Sequence, residues 1–230
     1  MNKRVTAIVL MAGVGKRMNS NVPKQYIEVD NKPIVYYTID AFEKSDIDDI
    51  VLVTGETEIE YCTREIVQYF KFNKISKIVS GGKERYNSVY NGLKVVNNSR
   101  YVLIHDGARP CITSDDINKM IYSVKKYDAC IMGVPTKDTI KIVDDENNII
   151  KSPDRRTIWQ AQTPQAFEYD RIMYAYSKVQ VSADKSITDD AKVWSMYNKQ
   201  PVKMIEGSYE NIKVTTPSDV EIVVNYVKKQ

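Results

Sequence analysis

Residues 5–18 read VTAIVLMAGVGKRM, an apolar run that leads directly into two glycines. A run of five or six apolar residues is typical of a buried strand with both faces covered, as in a parallel sheet. Gly13 and Gly15 follow this strand, and they let another group approach the backbone closely. Lys16 and Arg17 place cations beside the same turn. The stretch therefore predicts a first strand followed by a loop that could hold a polyphosphate.

The glycine spacing separates this loop from two common nucleotide motifs. Met18 stands where G-x-G-x-x-G would have its third glycine, and the spacing does not fit the P-loop pattern G-x-x-x-x-G-K-[ST]. An ordinary strand-ending turn with solvated basic residues explains the glycines alone equally well. With Pro23-Lys24-Gln25 included, the pattern resembles the L-x-A-G-x-G-x-R-M…P-K-Q signature of sugar-nucleotide pyrophosphorylases and cytidylyltransferases. In that group the loop wraps the phosphates of a nucleoside triphosphate.

The overall composition is that of a globular protein. The 230 residues suffice for one large α/β domain, with 43% hydrophobic and 27% charged residues. The net charge of +3 arises from 33 basic and 30 acidic residues, a balance too mild and mixed to indicate a nucleic-acid partner. An anionic small substrate remains possible, since it needs only a local cluster of cations.

The compartment is predicted from cysteine usage and apolar runs. Cys62, Cys111 and Cys130 are widely spaced without a C-x-x-C motif, which argues against a disulfide framework or a zinc site and fits a reducing compartment. The apolar N-terminal run leads into glycines and basic residues, so we interpret it as a strand and not as a signal peptide. No apolar run approaches the ~18 residues of a membrane span. We therefore expect a cytoplasmic protein with no membrane partner.

Strand-like and helix-like segments alternate through the first 135 residues. Strands are predicted at 50–53, 77–79, 101–104 and 129–134, and helices at 34–42, 58–70, from the second glycine turn to about 96, and 115–127. This alternation predicts a mostly parallel central sheet with helices on both faces, in a single domain spanning residues 1–230. Ligands bind such sheets at the carboxyl ends of the strands. Gly13, Gly82 and Asp106 all follow predicted strands, so we expect them to meet at one edge.

The pattern changes after Pro135. Residues 139–143 and 148–151 flank a polar tip and predict a β-hairpin, which has little core of its own and needs a packing partner. A strand-like segment at 157–162 is followed by a predicted turn at Thr163-Pro164-Gln165. Further on we predict helices at 168–179, from the 186–190 cap to about 197, and from Thr216 onward, with strands at 202–205 and 211–214.

The whole chain resembles the 2-C-methyl-D-erythritol 4-phosphate cytidylyltransferase family of the non-mevalonate isoprenoid pathway. The segments that carry the resemblance are 10–18, 23–25, 81–85 with 88–89, 105–110, 153–155 with 159–165, 187–190 and 211–215. The resemblance implies a Rossmann-like nucleotidyltransferase fold with a protruding β-hairpin arm. It also implies transfer of CMP from CTP to 2-C-methyl-D-erythritol 4-phosphate, which releases pyrophosphate and forms 4-diphosphocytidyl-2-C-methyl-D-erythritol.

The same resemblance implies a role for particular residues. Arg17 and Lys24 match the pair that stabilises the transition state. The nucleotide-binding residues are Ala12, Gly13, Gly15, Gly82, Ser88 and Asp106, with Asp106 also the implied Mg²⁺ ligand. The acceptor-binding residues are Arg109, Arg155, Thr163, Thr188 and Lys213. An arm at about 136–156 crosses to a second subunit in this family, so a homodimer is implied.

The residues alone leave several of these roles open. Asp106 could instead cap a helix or turn, and Ser88 could be a surface helix serine. Arg85 could contact the nucleotide or only bond the loop, and His105 reads as a packed strand-end residue. A phosphate monoester has a second pKa of ~6, so the attacking oxygen is largely ionised at neutral pH and needs no general base. The chemistry then depends on electrostatic stabilisation of the transferred phosphate.

Two other functions compete with this hypothesis. The first is a cytidylyltransferase for ribitol 5-phosphate or another polyol phosphate, which serves cell-wall polymer synthesis and differs in the acceptor pocket. The second is a non-catalytic nucleotide-binding regulator that kept the fold. Arg17, Lys24, Asp106 and Lys213 argue against a regulator, because a sensor would not need cations that stabilise a transition state.

Overall fold

The computed structural model describes residues 4–13, 22–180 and 187–229. The strands are β1 (Val5–Leu10), β2 (Glu28–Val29), β3 (Lys32–Pro33), β4 (Asp49–Thr54), β5 (Ile75–Ser80), β6 (Tyr101–Asp106), β7 (Ala129–Pro135), β8 (Ile142–Val143), β9 (Ile149–Lys151), β10 (Trp159–Glu168) and β11 (Lys203–Glu206). The helices are α1 (Ile34–Glu43), α2 (Ile59–Tyr61), which continues as the π-helical stretch Cys62–Gln68, α3 (Arg85–Val95), α4 (Ser114–Tyr127), α5 (Tyr169–Val179), α6 (Asp190–Tyr197) and α7 (Pro217–Val227).

Seven strands form one mixed sheet in the order β11-β7-β10-β6-β1-β4-β5. The pairs β1–β4, β1–β6, β4–β5 and β7–β11 are parallel, whereas β10 runs antiparallel to both β6 and β7. The predicted mostly parallel sheet is confirmed. Because β1, β5 and β6 point the same way, their carboxyl ends lie at one edge.

Helices cover both faces of the sheet, as predicted. In β1, Val5, Ala7 and Val9 belong to one hydrophobic cluster while Ile8 belongs to another, as the two-residue period of a strand requires. The first cluster includes residues of α1 and α4, and the second includes residues of α3, α5 and α6. Within the described ranges, no helix is both long and apolar enough to cross a bilayer.

Two local predictions are wrong. The predicted turn at Thr163-Pro164-Gln165 lies inside β10, where the register against β7 shifts between Ala161 and Gln165 and the Thr163-Pro164 peptide is cis. A register shift accommodates a proline, which has no backbone N–H to donate, and β10 pairs with β7 again from Gln165 onward. Residues 211–214 form no strand. The backbone N–H of Val214 donates to Ala108 O at 2.8 Å, and Ala108 lies in a loop and not in a strand that 211–214 could extend.

The predicted hairpin is present but short. β8 and β9 pair only with each other, antiparallel, and form a separate two-stranded unit. Its apolar side chains are exposed, with Ile149 at 63% and Ile150 at 64% of full accessibility. The hairpin therefore has little core of its own, as predicted, and its need for a packing partner stays a prediction.

Candidate active site

The turns that follow β1 and β5 and the end of β6 meet in one cavity. This cavity has a volume of about 390 Å³. It is lined by Leu10, Met11, Ala12, Gly13, Lys24, Gln25, Gly82, Lys83, Glu84, Arg85, Ser88, Asp106, Ala108 and Lys213. The predicted meeting of the Gly13 turn, the Gly82 turn and Asp106 is thus confirmed. We call this space the Asp106 cavity.

Asp106 is the electrostatic centre of the cavity. Its Oδ2 lies 2.7 Å from Lys213 Nζ and 3.9 Å from Arg109 Nε, and its Oδ1 lies 3.4 Å from Arg85 Nε. Burial alone would raise the pKa of this carboxyl, but Arg85 and Lys213 hold the pKa well below its usual range. Asp106 is therefore ionised across the physiological range, and three cations surround it.

The second glycine turn is held by the helix that follows it. The backbone N–H of Gly82 donates to Ser88 Oγ at 3.0 Å, and that hydroxyl lies 3.3 Å from Glu84 O. A Cβ on Gly81 would lie 2.4 Å from Ala12 Cβ, which is closer than atoms can approach. Gly81 therefore lets the first and second glycine turns pack against each other. Ser88 is buried, so the surface-helix alternative for it is wrong.

Lys24 and Gln25 occupy a short 3₁₀ turn, Lys24–Tyr26, at the cavity wall. Lys24 Nζ donates to Val214 O at 2.9 Å, next to the residue that bonds Asp106. Gln25 is 1% exposed and its Nε2 donates to Met11 O at 2.7 Å, so it fixes the backbone just before Gly13. The sequence pattern gave Gln25 no separate role. Its hydrogen bond to Met11 O assigns it the role of holding the turn after β1 in place.

The predicted acceptor residues are only partly brought together. Lys213 lines the Asp106 cavity, and Arg109 donates from Nη1 to Asn211 O at 2.7 Å while facing Asp106. Thr163 supports Asp106 from behind, because its Oγ1 accepts from the backbone N–H of Asp106 at 3.1 Å.

Thr188 and Arg155 do not line the Asp106 cavity in the part of the chain that the structure describes. Thr188 lines an adjacent cavity of about 480 Å³ that shares Lys83, Glu84 and Arg85 with the first. Arg155 lies beyond the hairpin, exposed, and its Nη1 donates to Lys137 O at 2.8 Å. Gly15 and Arg17, predicted for nucleotide binding and catalysis, lie outside the described residues.

His105 is a packed strand residue, as expected. It is fully buried with Nδ1 3.0 Å from Thr163 Oγ1, and its ring contacts that of Phe42. Burial lowers the pKa of His105 to about 3, so the imidazole is neutral at physiological pH.

Arg85 has a partner within the protein and also lines the Asp106 cavity, so the structure leaves both alternatives for its role standing. Its guanidinium bonds Asp190 through two parallel 2.8 Å contacts and also faces Asp106. Sequence reasoning assigned Asp190 only to a helix cap, and it assigned no role to Tyr176 or Gln165, which bond the same residue. The sequence offered only an acidic residue at a predicted helix start, a signal that is common and uninformative.

Comparisons with known proteins identify one family over nearly the whole chain. Residues 5–229 match the family IspD, described as 2-C-methyl-D-erythritol 4-phosphate cytidylyltransferase. The chain is 47% identical over 225 residues to the protein of that name from Lachnospira eligens, covering 97% of this chain and 99% of that protein. It is 46% identical over 227 residues to the one from Alkaliphilus oremlandii, covering 98% and 95%.

Solved structures agree with this match. The 4-diphosphocytidyl-2C-methyl-D-erythritol synthase from Anaerococcus prevotii is similar with a TM-score of 0.88 at 33% identity, covering 99% of this chain and 97% of that one. The Francisella tularensis 2-C-methyl-D-erythritol 4-phosphate cytidylyltransferase has a TM-score of 0.77 at 29% identity, covering 97% and 99%.

The sheet, the glycine-lined cavity and these likenesses define a nucleotidyltransferase. The chain belongs to the IspD family, the 2-C-methyl-D-erythritol 4-phosphate cytidylyltransferases. Its activity is CTP-dependent cytidylyl transfer to 2-C-methyl-D-erythritol 4-phosphate in isoprenoid precursor biosynthesis. The relatives do not favour the alternative acceptor, ribitol 5-phosphate.

Proposed function

We propose that the Asp106 cavity binds CTP and that the acceptor phosphate attacks its α-phosphorus there. The observation that carries this proposal is the meeting of two glycine turns around a carboxylate anchored by Lys213. Backbone N–H groups near Ala12 and Gly13 suit a triphosphate, since such turns form concave anion sites, and Gly15 is proposed to bind the same group. The Gly82 turn with Ser88 offers a small polar pocket for the cytosine and ribose.

Lys24 and Arg17 are proposed to stabilise the charge that develops on the transferred and leaving phosphates. Lys24 Nζ lies at the cavity wall beside the Lys213-Val214 backbone, so its charge faces the same space as Asp106. Fixed cations aimed at developing charge contribute the largest single term in many such reactions. No proton acceptor is required, because the acceptor phosphate is already largely ionised at neutral pH.

Asp106 is the proposed ligand for Mg²⁺. Among the described residues no group of three or more His, Cys, Asp or Glu side chains could hold a metal by itself. Mg²⁺ usually takes only one or two carboxylates and completes its shell with phosphate oxygens and water. Asp106 fits this need, because it stays ionised and the contact of its Oδ1 to Arg85 Nε is long, at 3.4 Å. A bound Mg²⁺ would neutralise charge on the triphosphate.

The acceptor is proposed to lie between Asp106 and the neighbouring cavity. Lys213 and Arg109 supply cations on one side, with Thr163 behind Asp106 and Thr188 in the adjacent wall. Arg155 is exposed near the hairpin and would reach an acceptor phosphate in a second subunit. Its planar guanidinium can donate two hydrogen bonds to a phosphate.

We infer that the hairpin is a dimerisation arm. Ile142, Val143, Ile149 and Ile150 form an exposed apolar surface that a second copy of the chain would cover.

The three cysteines are free and buried, which fits a reducing, cytoplasmic location.

Pyrophosphate release from CTP and Mg²⁺ tests the proposed acceptor directly. We expect release with 2-C-methyl-D-erythritol 4-phosphate and little with ribitol 5-phosphate at equal concentration. Release with ribitol 5-phosphate alone would keep the nucleotide site and overturn the acceptor. No release with either, despite CTP binding, would contradict the catalytic proposal.

A further inference from the structure

One arginine joins the Asp106 cavity to the neighbouring cavity. Arg85 is the first residue of α3, and its Nη1 and Nη2 donate to Asp190 Oδ1 and Oδ2 at 2.8 Å each. Its Nε lies 3.4 Å from Asp106 Oδ1. Arg85 also lines both cavities, so it forms part of the wall between them.

Asp190 is a fully buried charge that other side chains support. It has no exposed surface, and the Tyr176 hydroxyl donates to its Oδ1. Gln165 Oε1 accepts from the backbone N–H groups of Asp190 and Ala191, at 3.0 Å each. A buried carboxylate is costly unless it is paired and hydrogen-bonded, so this arrangement fixes the start of α6.

Fixing α6 also fixes the segment just before it. Residues 187–189 line the adjacent cavity opposite α3 residues such as Tyr86 and Asn87. Gln165 Nε2 donates to Asp189 Oδ2 at 3.1 Å, which adds a second anchor to the same segment. A shift of Asp190 would therefore move Thr188 relative to Asp106.

We propose that Arg85, Asp190 and Tyr176 are positioning residues that hold residues 187–189 at a set distance from Asp106. They would thereby orient the acceptor towards the α-phosphate of CTP. This inference rests on the proposed function, in which Asp106 lies at the nucleotide and Thr188 at the acceptor.

The decisive variant is Tyr176→Phe, which removes one hydroxyl outside both cavity walls. We expect the KM for 2-C-methyl-D-erythritol 4-phosphate to rise about 3- to 10-fold, the range that one hydrogen bond contributes. The KM for CTP should stay within about 2-fold of wild type, because the glycine turns do not depend on Tyr176. Tyr169→Phe is the matched control on the same helix, since its hydroxyl donates to Leu93 O and away from Asp190.

Asp190→Asn is a second variant that keeps the shape but removes the charge that pairs with Arg85. The acceptor KM should rise further, on the order of 10- to 100-fold, because a charge-assisted bidentate contact is lost. Near-ultraviolet circular dichroism checks that each variant is folded. If Asp190→Asn folds poorly, Tyr176→Phe alone decides the question.

The inference is overturned if folded Tyr176→Phe matches Tyr169→Phe, or if its KM for CTP rises as much as its acceptor KM. Thr188→Val separates this failure from a failure of the proposed function. If Thr188→Val raises the acceptor KM and Tyr176→Phe does not, the acceptor placement stands and the positioning role is wrong. If Thr188→Val leaves the acceptor KM unchanged, the placement is wrong and the inference falls with it.

Discussion

Lys213 Nζ lies 2.7 Å from Asp106 Oδ2, so the late segment of the chain closes one side of a cavity that the first half builds. This contact keeps a cation at the cavity wall and helps to hold the pKa of Asp106 below its usual range. The neighbouring Val214 O accepts from Lys24, so the same segment also places the proposed catalytic lysine.

Replacing Lys213 tests the value of that contact. Lys213→Met should lower kcat/KM on the order of 100-fold, because it removes a charge that we propose acts on the bound phosphates. Steady-state pyrophosphate release measures the effect. Lys44→Met is the control, since the ammonium of Lys44 forms a surface pair with Asp40. Equal activity of the two variants would contradict the role given to Lys213.

Gly81 and Gly13 should respond differently to an added methyl group. A Cβ on Gly81 would meet Ala12 Cβ at 2.4 Å and Ser88 Oγ at 2.9 Å, whereas one on Gly13 would meet no atom within 4 Å in the described structure. Gly81→Ala should therefore cost about 1–3 kcal/mol of unfolding free energy in the free protein.

Gly13→Ala should leave that free energy nearly unchanged but raise the KM for CTP, because the methyl group enters the proposed phosphate site. Urea unfolding and CTP kinetics on both variants distinguish the two effects. An unchanged KM for CTP in Gly13→Ala would show that the nucleotide does not approach this turn.

The buried neutral His105 predicts a pH dependence of stability. The folded pKa of about 3 lies below the ~6.5 of an unfolded chain, so protons favour the unfolded state. The stabilisation is complete above pH ~6.5 and is lost as the pH falls from there towards 3.

Between pH 7.5 and 4.5 the wild type should lose about 3 kcal/mol more unfolding free energy than His105→Asn, which has no imidazole to protonate. Urea titrations at both pH values measure this difference. Asp106 is present in both proteins, so its own titration cancels. Equal losses would mean that folding does not lower the pKa of His105.

The hairpin predicts the oligomeric state. Ile149→Asp with Ile150→Asp places charges on the exposed apolar strand and should convert a dimer to a monomer in light scattering. Tyr122→Asp is a control for general surface change, because Tyr122 is an exposed aromatic residue on α4 and not part of the hairpin. A wild type that is already monomeric would contradict the proposed arm.

The parts of the site that the sequence predicted share a physical basis. Gly13 and Gly82 follow strands and Asp106 ends one, and parallel strands bring their carboxyl ends to one edge of the sheet whatever loops connect them. The apolar run at Val5–Leu10 predicted a strand that is buried on both faces. The side chains of β1 alternate between the two hydrophobic clusters, as those of such a strand must.

The parts that the sequence did not predict depend on contacts between distant segments. Arg85 and Asp190 are far apart in the chain, and the sequence around either residue does not indicate that the two pair. The continuation of β10 past Thr163-Pro164 depends on pairing with β6 and β7, which local turn propensity opposes. Residues 211–214 alternate apolar and polar side chains as a strand does, but the N–H of Val214 donates to Ala108 O in a loop and not to a strand.

The central claim is that the Asp106 cavity binds CTP and that Lys24 acts on the transition state. Lys24→Met with calorimetric CTP binding and pyrophosphate release under saturating substrates tests it most directly. We predict CTP binding close to wild type and a kcat lower on the order of 100- to 1,000-fold, as expected when one charge-stabilising group is lost. Normal turnover by a folded Lys24→Met variant that binds CTP would contradict the claim.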